Sequence, residues 1–174
     1  MRLYLVSISL LAFSFAFSFC DSKTNPKTNL IPLPLKTVDA KTVRLTDFKN
    51  KVVILDFWAT WCEPCVKAVP ILNHWKASVP AEDFIFLGIN TDEDTELSKI
   101  KEHLEILKMN YPTLLDPEWK LSENYDLEGI PTLLVFNRKG ELVYRQSGVV
   151  ASDLPGLILR SKVWAQCDDC ASQK

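Results

Sequence analysis

Five residues constrain this chain more than any others: Trp61-Cys62-Glu63-Pro64-Cys65, set between a continuous apolar run and an amphipathic one. Before them, Lys51 to Trp58 holds Val-Val-Ile-Leu and then Asp-Phe-Trp, which suits a strand buried on both faces. After them, Ala68, Val69, Leu72 and Trp75 recur at helical spacing across Pro64 to Val79, with Pro70 expected to kink the helix. A cysteine at a helix N-terminus meets unpaired backbone N–H groups and the positive end of the helix dipole, which stabilise a thiolate at Cys62. Cys65 falls about one turn further in, close enough to bridge and expected to be far better shielded. One attacking and one resolving thiol is what disulfide exchange requires. Zinc would need two further ligands at metal spacing, and the neighbouring sequence offers none.

Strand and helix patterns alternate through the rest of the chain. Phe84 to Asn90 reads as a second buried strand, and Thr95 to Lys108 places Leu97, Ile100, Leu104 and Leu107 on one helical stripe. A short strand at Thr113 to Leu115 and a helix from about Glu118 to Tyr125 follow. Thr132 to Asn137 is a third apolar strand, and Arg138-Lys139-Gly140 turns it into Leu142 to Gln146, an edge hairpin. Ser152 or Asp153 can cap a last helix running to Trp164. The pattern is α/β, a sheet covered by helices on both faces. The acidic run Asp92-Glu93-Asp94 reads as a helix start, where carboxylates suit the dipole. His74 and His103 read as partly exposed surface residues. The five glycines form no phosphate-binding loop.

The N-terminus has another character. Arg2 precedes an unbroken run of apolar residues and serines from Leu3 to Phe19, and the composition turns polar at Asp21. That is the pattern of a secretory signal, with a retained membrane anchor as the alternative. Residues 20–32 read as a polar tether, residues 33–166 as the folded domain, and 167–174 as a tail. The chain carries five cysteines, at 20, 62, 65, 167 and 170, a number that cannot all pair internally. Cys167-Asp168-Asp169-Cys170 is open to three readings: a plain disulfide or two loose thiols, a second redox pair, or a soft-metal site lacking half its ligands. A net charge of −2 over 174 residues argues against electrostatic binding to nucleic acid.

At the residues around the cysteine pair the chain resembles a known superfamily. Asp56-Phe57-Trp58-Ala59-Thr60-Trp61-Cys62-Glu63-Pro64-Cys65, with Pro70 downstream, is similar to the active-site strand and helix of thioredoxins. Gly129-Ile130-Pro131-Thr132 resembles the cis-proline loop of that family. Leu45 to Lys51, and the long segment between Asn90 and Tyr125, resemble the TlpA/ResA-type extracytoplasmic branch, the latter as its insertion. Cys20, closing the apolar run, resembles the lipidated cysteine of bacterial lipoproteins.

The resemblance implies a thioredoxin fold with a central mixed sheet, and a role for each matching residue. Cys62 would be the nucleophile, Cys65 the resolving thiol, and Asp56 a buried acid assisting proton transfer, its pKa raised by burial. Pro131, if cis, would sit beside the pair, with the Ile130 backbone pairing to an extended substrate and Trp61, Glu63 and Pro64 forming the rim. The Cys62–Cys65 pair would be a redox-active disulfide, and no cofactor is expected. Partners would be protein disulfides or thiols, apocytochrome c among them, and a membrane electron donor of the DsbD/CcdA type. The location would be extracytoplasmic, in the periplasm, with a membrane anchor through the N-terminus.

Two departures from the family stand out. Ala68 occupies the place where the ResA-type branch often carries a glutamate, and Phe84 to Asn90 lacks the lysine that partners the buried acid in many thioredoxins. Two other readings are a thiol peroxidase, whose Thr-x-x-Cys pattern Thr60-Trp61-Cys62 does not match, and a copper or haem-assembly thiol chaperone, which would need Cys-x-x-x-Cys and a distant His.

Overall fold

In the computed structural model, which describes residues 28–166, the frame is set by one strand, β3 (Val52–Trp58), buried at every position. Its odd and even residues serve different layers, as the two-residue period of a strand requires. Val53, Leu55 and Phe57 join one core cluster, and Val52 and Ile54 join another. Ahead of β3 lies a hairpin of β1 (Pro34–Thr37) and β2 (Thr42–Arg44). Behind it come α1 (Glu63–Ala77), β4 (Phe84–Asn90), α2 (Leu97–Leu107), β5 (Thr113–Leu115), α3 (Lys120–Asn124), β6 (Thr132–Phe136), β7 (Leu142–Ser147) and α4 (Leu154–Gln166). The seven strands run in the order β2-β1-β5-β4-β3-β6-β7. β4 is parallel to both β3 and β5, while β6 runs antiparallel to β3. This is a mixed sheet of thioredoxin type. Helices α1 and α4 cover the even face of β3 through Ala68, Leu72, Trp75, Leu157 and Trp164. The odd face is covered by Leu121 of α3, by Tyr125 and by Leu30 and Ile31, with Leu35 of β1 in the same cluster.

Gly88 of β4 stands opposite Asp56 in the sheet register. A Cβ there would lie 2.8 Å from Thr113 Oγ1 and 3.0 Å from the Trp58 indole nitrogen, so only glycine lets that indole lie against β4.

Several expectations need correction. The folded domain begins before residue 33: Leu30 and Ile31 are buried, and the Leu30 N–H donates to the Gly140 carbonyl at 2.7 Å. Two apolar residues behind a polar run carry no periodicity to announce this. The β1–β2 hairpin has no sequence signature, because strands of four and three residues bury a single side chain fully, Leu35. Leu97 does not belong to the inward stripe of α2. It is exposed, while Ile100 is buried and Leu104 and Leu107 pack beside it. The segment that resembles an insertion holds α2, β5 and α3. Residues 1–19, Cys20, Cys167 and Cys170 lie outside the described residues.

Candidate active site

The site forms where β3 ends and α1 begins, at the carboxyl ends of the parallel strands β3 and β4, the usual place for a site on such a sheet. Cys62 is the N-cap of α1, in extended conformation, and Pro64 occupies the first turn, where a missing N–H costs nothing. Cys62 and Cys65 are joined as a disulfide with their Cα atoms 5.3 Å apart. The Cys65 backbone N–H donates to Cys62 Sγ at 3.2 Å. The same N–H, in the first turn of the helix, also donates to the Cys62 carbonyl at 3.0 Å, and its contact with the sulfur favours negative charge there once the bond is reduced.

The expected difference in shielding is absent in the disulfide form: Cys62 is 3% exposed and Cys65 2%. What separates the two is the helix, which places one sulfur at its cap and the other inside its first turn. The surface around them is supplied by Trp61, 67% exposed, and by exposed Glu63 and Pro64. Lys67 pairs with Glu63 at 2.8 Å and holds the Glu63 carboxyl below its usual range, which limits the repulsion between that carboxylate and a Cys62 thiolate.

The loop before β6 closes the site from the other side. The Ile130–Pro131 peptide is cis, Pro131 is buried, and Ile130 packs on the cluster of Trp58, Ala59, Cys62, Cys65 and Ile100. The Gly148 N–H donates to the Pro131 carbonyl at 2.8 Å, and Thr132 Oγ1 donates to the Gly129 carbonyl at 2.6 Å, which fixes the loop at both ends.

Asp56 is 3% exposed and accepts the Tyr111 O–H on Oδ2 at 2.8 Å. Burial pushes its carboxyl up to about 7, and the Tyr111 hydrogen bond offsets part of that rise. Burial, together with the Asp56 charge, in turn holds the Tyr111 phenol well above its usual range. Asp56 lies on the even side of β3, between Ile54 of the α1–α4 core and Trp58, whose ring packs with the cysteines.

Asp92 is not part of a helix start. It is buried and accepts from the Thr60 N–H and the Thr60 hydroxyl, each at 2.9 Å, and from Asn90 Nδ2 at 2.7 Å. Three donors satisfy a carboxylate without a cation, so this acid ties the loop after β4 to the residue that precedes Trp61. A cleft of about 300 Å³ opens beside it, lined by Trp61, Asp92 and Trp119 among others. His74 is exposed, and His103 is half-buried and stacks on Trp58 with ring centroids 6.2 Å apart.

Residues 16–157 match the Redoxin family. The chain belongs to that family. Among Redoxin-like relatives, it is 30% identical over 122 residues to the thiol-disulfide oxidoreductase ResA of Bacillus subtilis, a match covering 69% of this chain and 66% of the relative. It is 28% identical to the ResA protein of Bacillus cereus, covering 64% of this chain and 63% of that one. The matched region thus spans just under two thirds of these relatives. The fold superposes on the pneumococcal exposed lipoprotein thioredoxin Etrx1 of Streptococcus pneumoniae with a TM-score of 0.63 and 31% identity, over 74% of this chain and 97% of the other. It also superposes on StoA of Bacillus subtilis, with a TM-score of 0.61 and 24% identity, over 74% of this chain and 98% of the other.

Proposed function

We propose that this Redoxin-family chain is a protein thiol–disulfide oxidoreductase acting outside the cytoplasm as a reductant, held at a bacterial membrane through its N-terminal segment and Cys20. The observation that carries the reading is the Cys62–Cys65 disulfide at the cap of α1, with the Cys65 N–H on Cys62 Sγ. The names of the Bacillus relatives support the chemistry, and the pneumococcal lipoprotein supports the anchored location.

In the reduced protein the Cys62 thiolate attacks one sulfur of a substrate disulfide. A new bond joins Cys62 to that sulfur, and the other substrate sulfur leaves as a thiolate and takes up a proton. The Cys65 thiol then gives its proton to the Asp56 carboxylate, through water, and attacks Cys62 Sγ. The bond between Cys62 and the substrate breaks, the substrate's second sulfur leaves as a thiolate and is protonated, and the Cys62–Cys65 disulfide re-forms. Two electrons pass from the protein to the substrate. A membrane dithiol donor of the DsbD/CcdA type restores the pair by the reverse exchange. Ile130 offers backbone to an extended substrate segment beside the sulfurs, and Trp61, Glu63 and Pro64 form the rim against which it docks. The physiological substrates in this reading are haem-site cysteines of apocytochrome c.

Reduction of a disulfide-bonded peptide by the protein tests the chemistry. Cys62→Ser abolishes it, and Cys65→Ser accumulates a mixed disulfide on Cys62, visible by mass spectrometry. Full activity in Cys62→Ser would sink the reading. The couple's potential decides direction: a value near about −270 mV marks a reductant, and one near about −120 mV an oxidant. Loss of haem-stained cytochrome c in a deletion strain, and loss of lipid labelling in Cys20→Ala, check the substrate and the anchor.

A further inference from the structure

Tyr111 sits between Asn110 and Pro112, just ahead of β5, and meets Asp56 across 55 residues of sequence. Its segment is held from two sides. Asn73 of α1 donates from Nδ2 to the Lys108 carbonyl at 2.8 Å and accepts the Asn110 N–H on Oδ1 at 3.1 Å. The Gly88 N–H, opposite Asp56 in the sheet, donates to the Pro112 carbonyl at 2.9 Å. The Tyr111 ring is buried, with Phe86 at 6.3 Å between centroids. The phenol therefore arrives at the carboxyl from a clamped piece of backbone rather than from a free loop.

Among the described residues no Lys, Arg or His forms an ion pair with Asp56, and the neighbouring strand β4 carries none of them. β4 supplies Phe86 and Gly88, β6 supplies Leu133, and α1 buries Cys65, Ala68 and Leu72 while Glu63, Lys67 and His74 are exposed and Lys76 is half-buried, so the buried titratable groups on these elements and on the segment before β5 are Cys65, once reduced, and Tyr111. A buried carboxyl with no cation needs a neutral donor to hold its charged form in one orientation. The clamped phenol is that donor.

We propose that Tyr111 is a positioning residue of the exchange reaction, whose fixed phenol orients the Asp56 carboxyl for proton transfer from Cys65 and stands in for the missing cation. The inference rests on the reading of Asp56 as the proton acceptor. Tyr111→Phe removes the donor, keeps the ring and leaves the disulfide untouched. The ionised carboxyl then loses its hydrogen bond, and the midpoint of the resolving step moves up by about one pH unit, a fall of about fivefold in rate at pH 7 that alkaline pH restores.

The measurement is stopped-flow release of the second thionitrobenzoate when the reduced protein reacts with dithiobis-nitrobenzoate, followed across pH in the native chain, Tyr111→Phe and Asp56→Asn. The expected result is a raised midpoint in Tyr111→Phe and loss of that pH limb in Asp56→Asn. Loss of the limb in Asp56→Asn with an unmoved midpoint in Tyr111→Phe overturns the role of Tyr111 and spares that of Asp56. An intact limb in Asp56→Asn overturns both. Asn73→Ala gives a second arm that holds even if Tyr111→Phe does not fold. It loosens the clamp without touching the carboxyl and moves the midpoint the same way by a smaller amount; an unmoved midpoint counts against the proposal.

Discussion

The two faces of β3 each bury a tyrosine, and the two hydroxyls serve different purposes. On the odd face Tyr125 donates to the Asn29 carbonyl at 3.1 Å and accepts the Ile31 N–H at 3.4 Å, stitching the incoming chain to the apolar cluster it packs in. On the even face Tyr111 donates to a carboxyl that titrates near neutrality. Both phenols are satisfied, but one holds backbone and the other holds a charge. The odd face yields stability alone, while the even face gives some up to keep an acid within the layer that reaches the disulfide.

Four substitutions test that contrast. The largest effect is on the apolar side: Leu55→Ala empties a fully buried position and costs about 2–5 kcal/mol, read from urea unfolding, with the pH midpoint of exchange unchanged. A shifted midpoint would mean that the faces are coupled. Asp56→Asn acts in the opposite direction. The folded chain protonates Asp56 near pH 7 and the ordinary carboxyl does so near 3.8, so between those values the folded state binds more protons and its stability falls as pH rises. The variant is therefore more stable than the native chain at pH 8, by on the order of 2–4 kcal/mol, and the gain vanishes by about pH 4. A gain independent of pH would point to packing instead.

Tyr125→Phe comes next: it costs about 1 kcal/mol and leaves the exchange profile where it was, so the same chemical deletion on the two faces separates stability from proton handling. The smallest effect is expected at the rim. Glu63→Gln removes a carboxylate beside the cap and lowers the Cys62 thiol pKa by a few tenths of a unit, measured by iodoacetamide alkylation against pH. A rise would contradict the account of the Glu63–Lys67 pair.

What could be read in the sequence follows the same division. β3, α1, β4 and β6 were legible because long apolar runs and helical spacing state burial directly, and the cysteine pair fell at their junction. Asp92 departs from its reading as part of a helix start because nothing local shows that Thr60 and Asn90 turn one acid of that run inward. Tyr111 was missed because its partner lies in another element and its neighbours Asn110 and Pro112 carry no period. A signal was present nonetheless. Once Asp56 is assigned to a buried strand and the adjoining strand lacks a lysine, some neutral donor is owed to the carboxyl, and the segment entering β5, next to β4, is where to look.

The Leu30 contact with Gly140 has a consequence for polarity. Gly140 belongs to the turn between β6 and β7, and β6 is antiparallel to β3, with Phe136 opposite Val53 and Thr132 opposite Phe57. The chain therefore enters the body at the pole where β3 starts, whereas the sulfurs sit at the pole where it finishes. Seven residues of strand set these poles about 20 Å apart. A leash fastened to whatever precedes residue 28 would hold the blunt pole toward its attachment point and turn the reactive one outward, toward arriving chains.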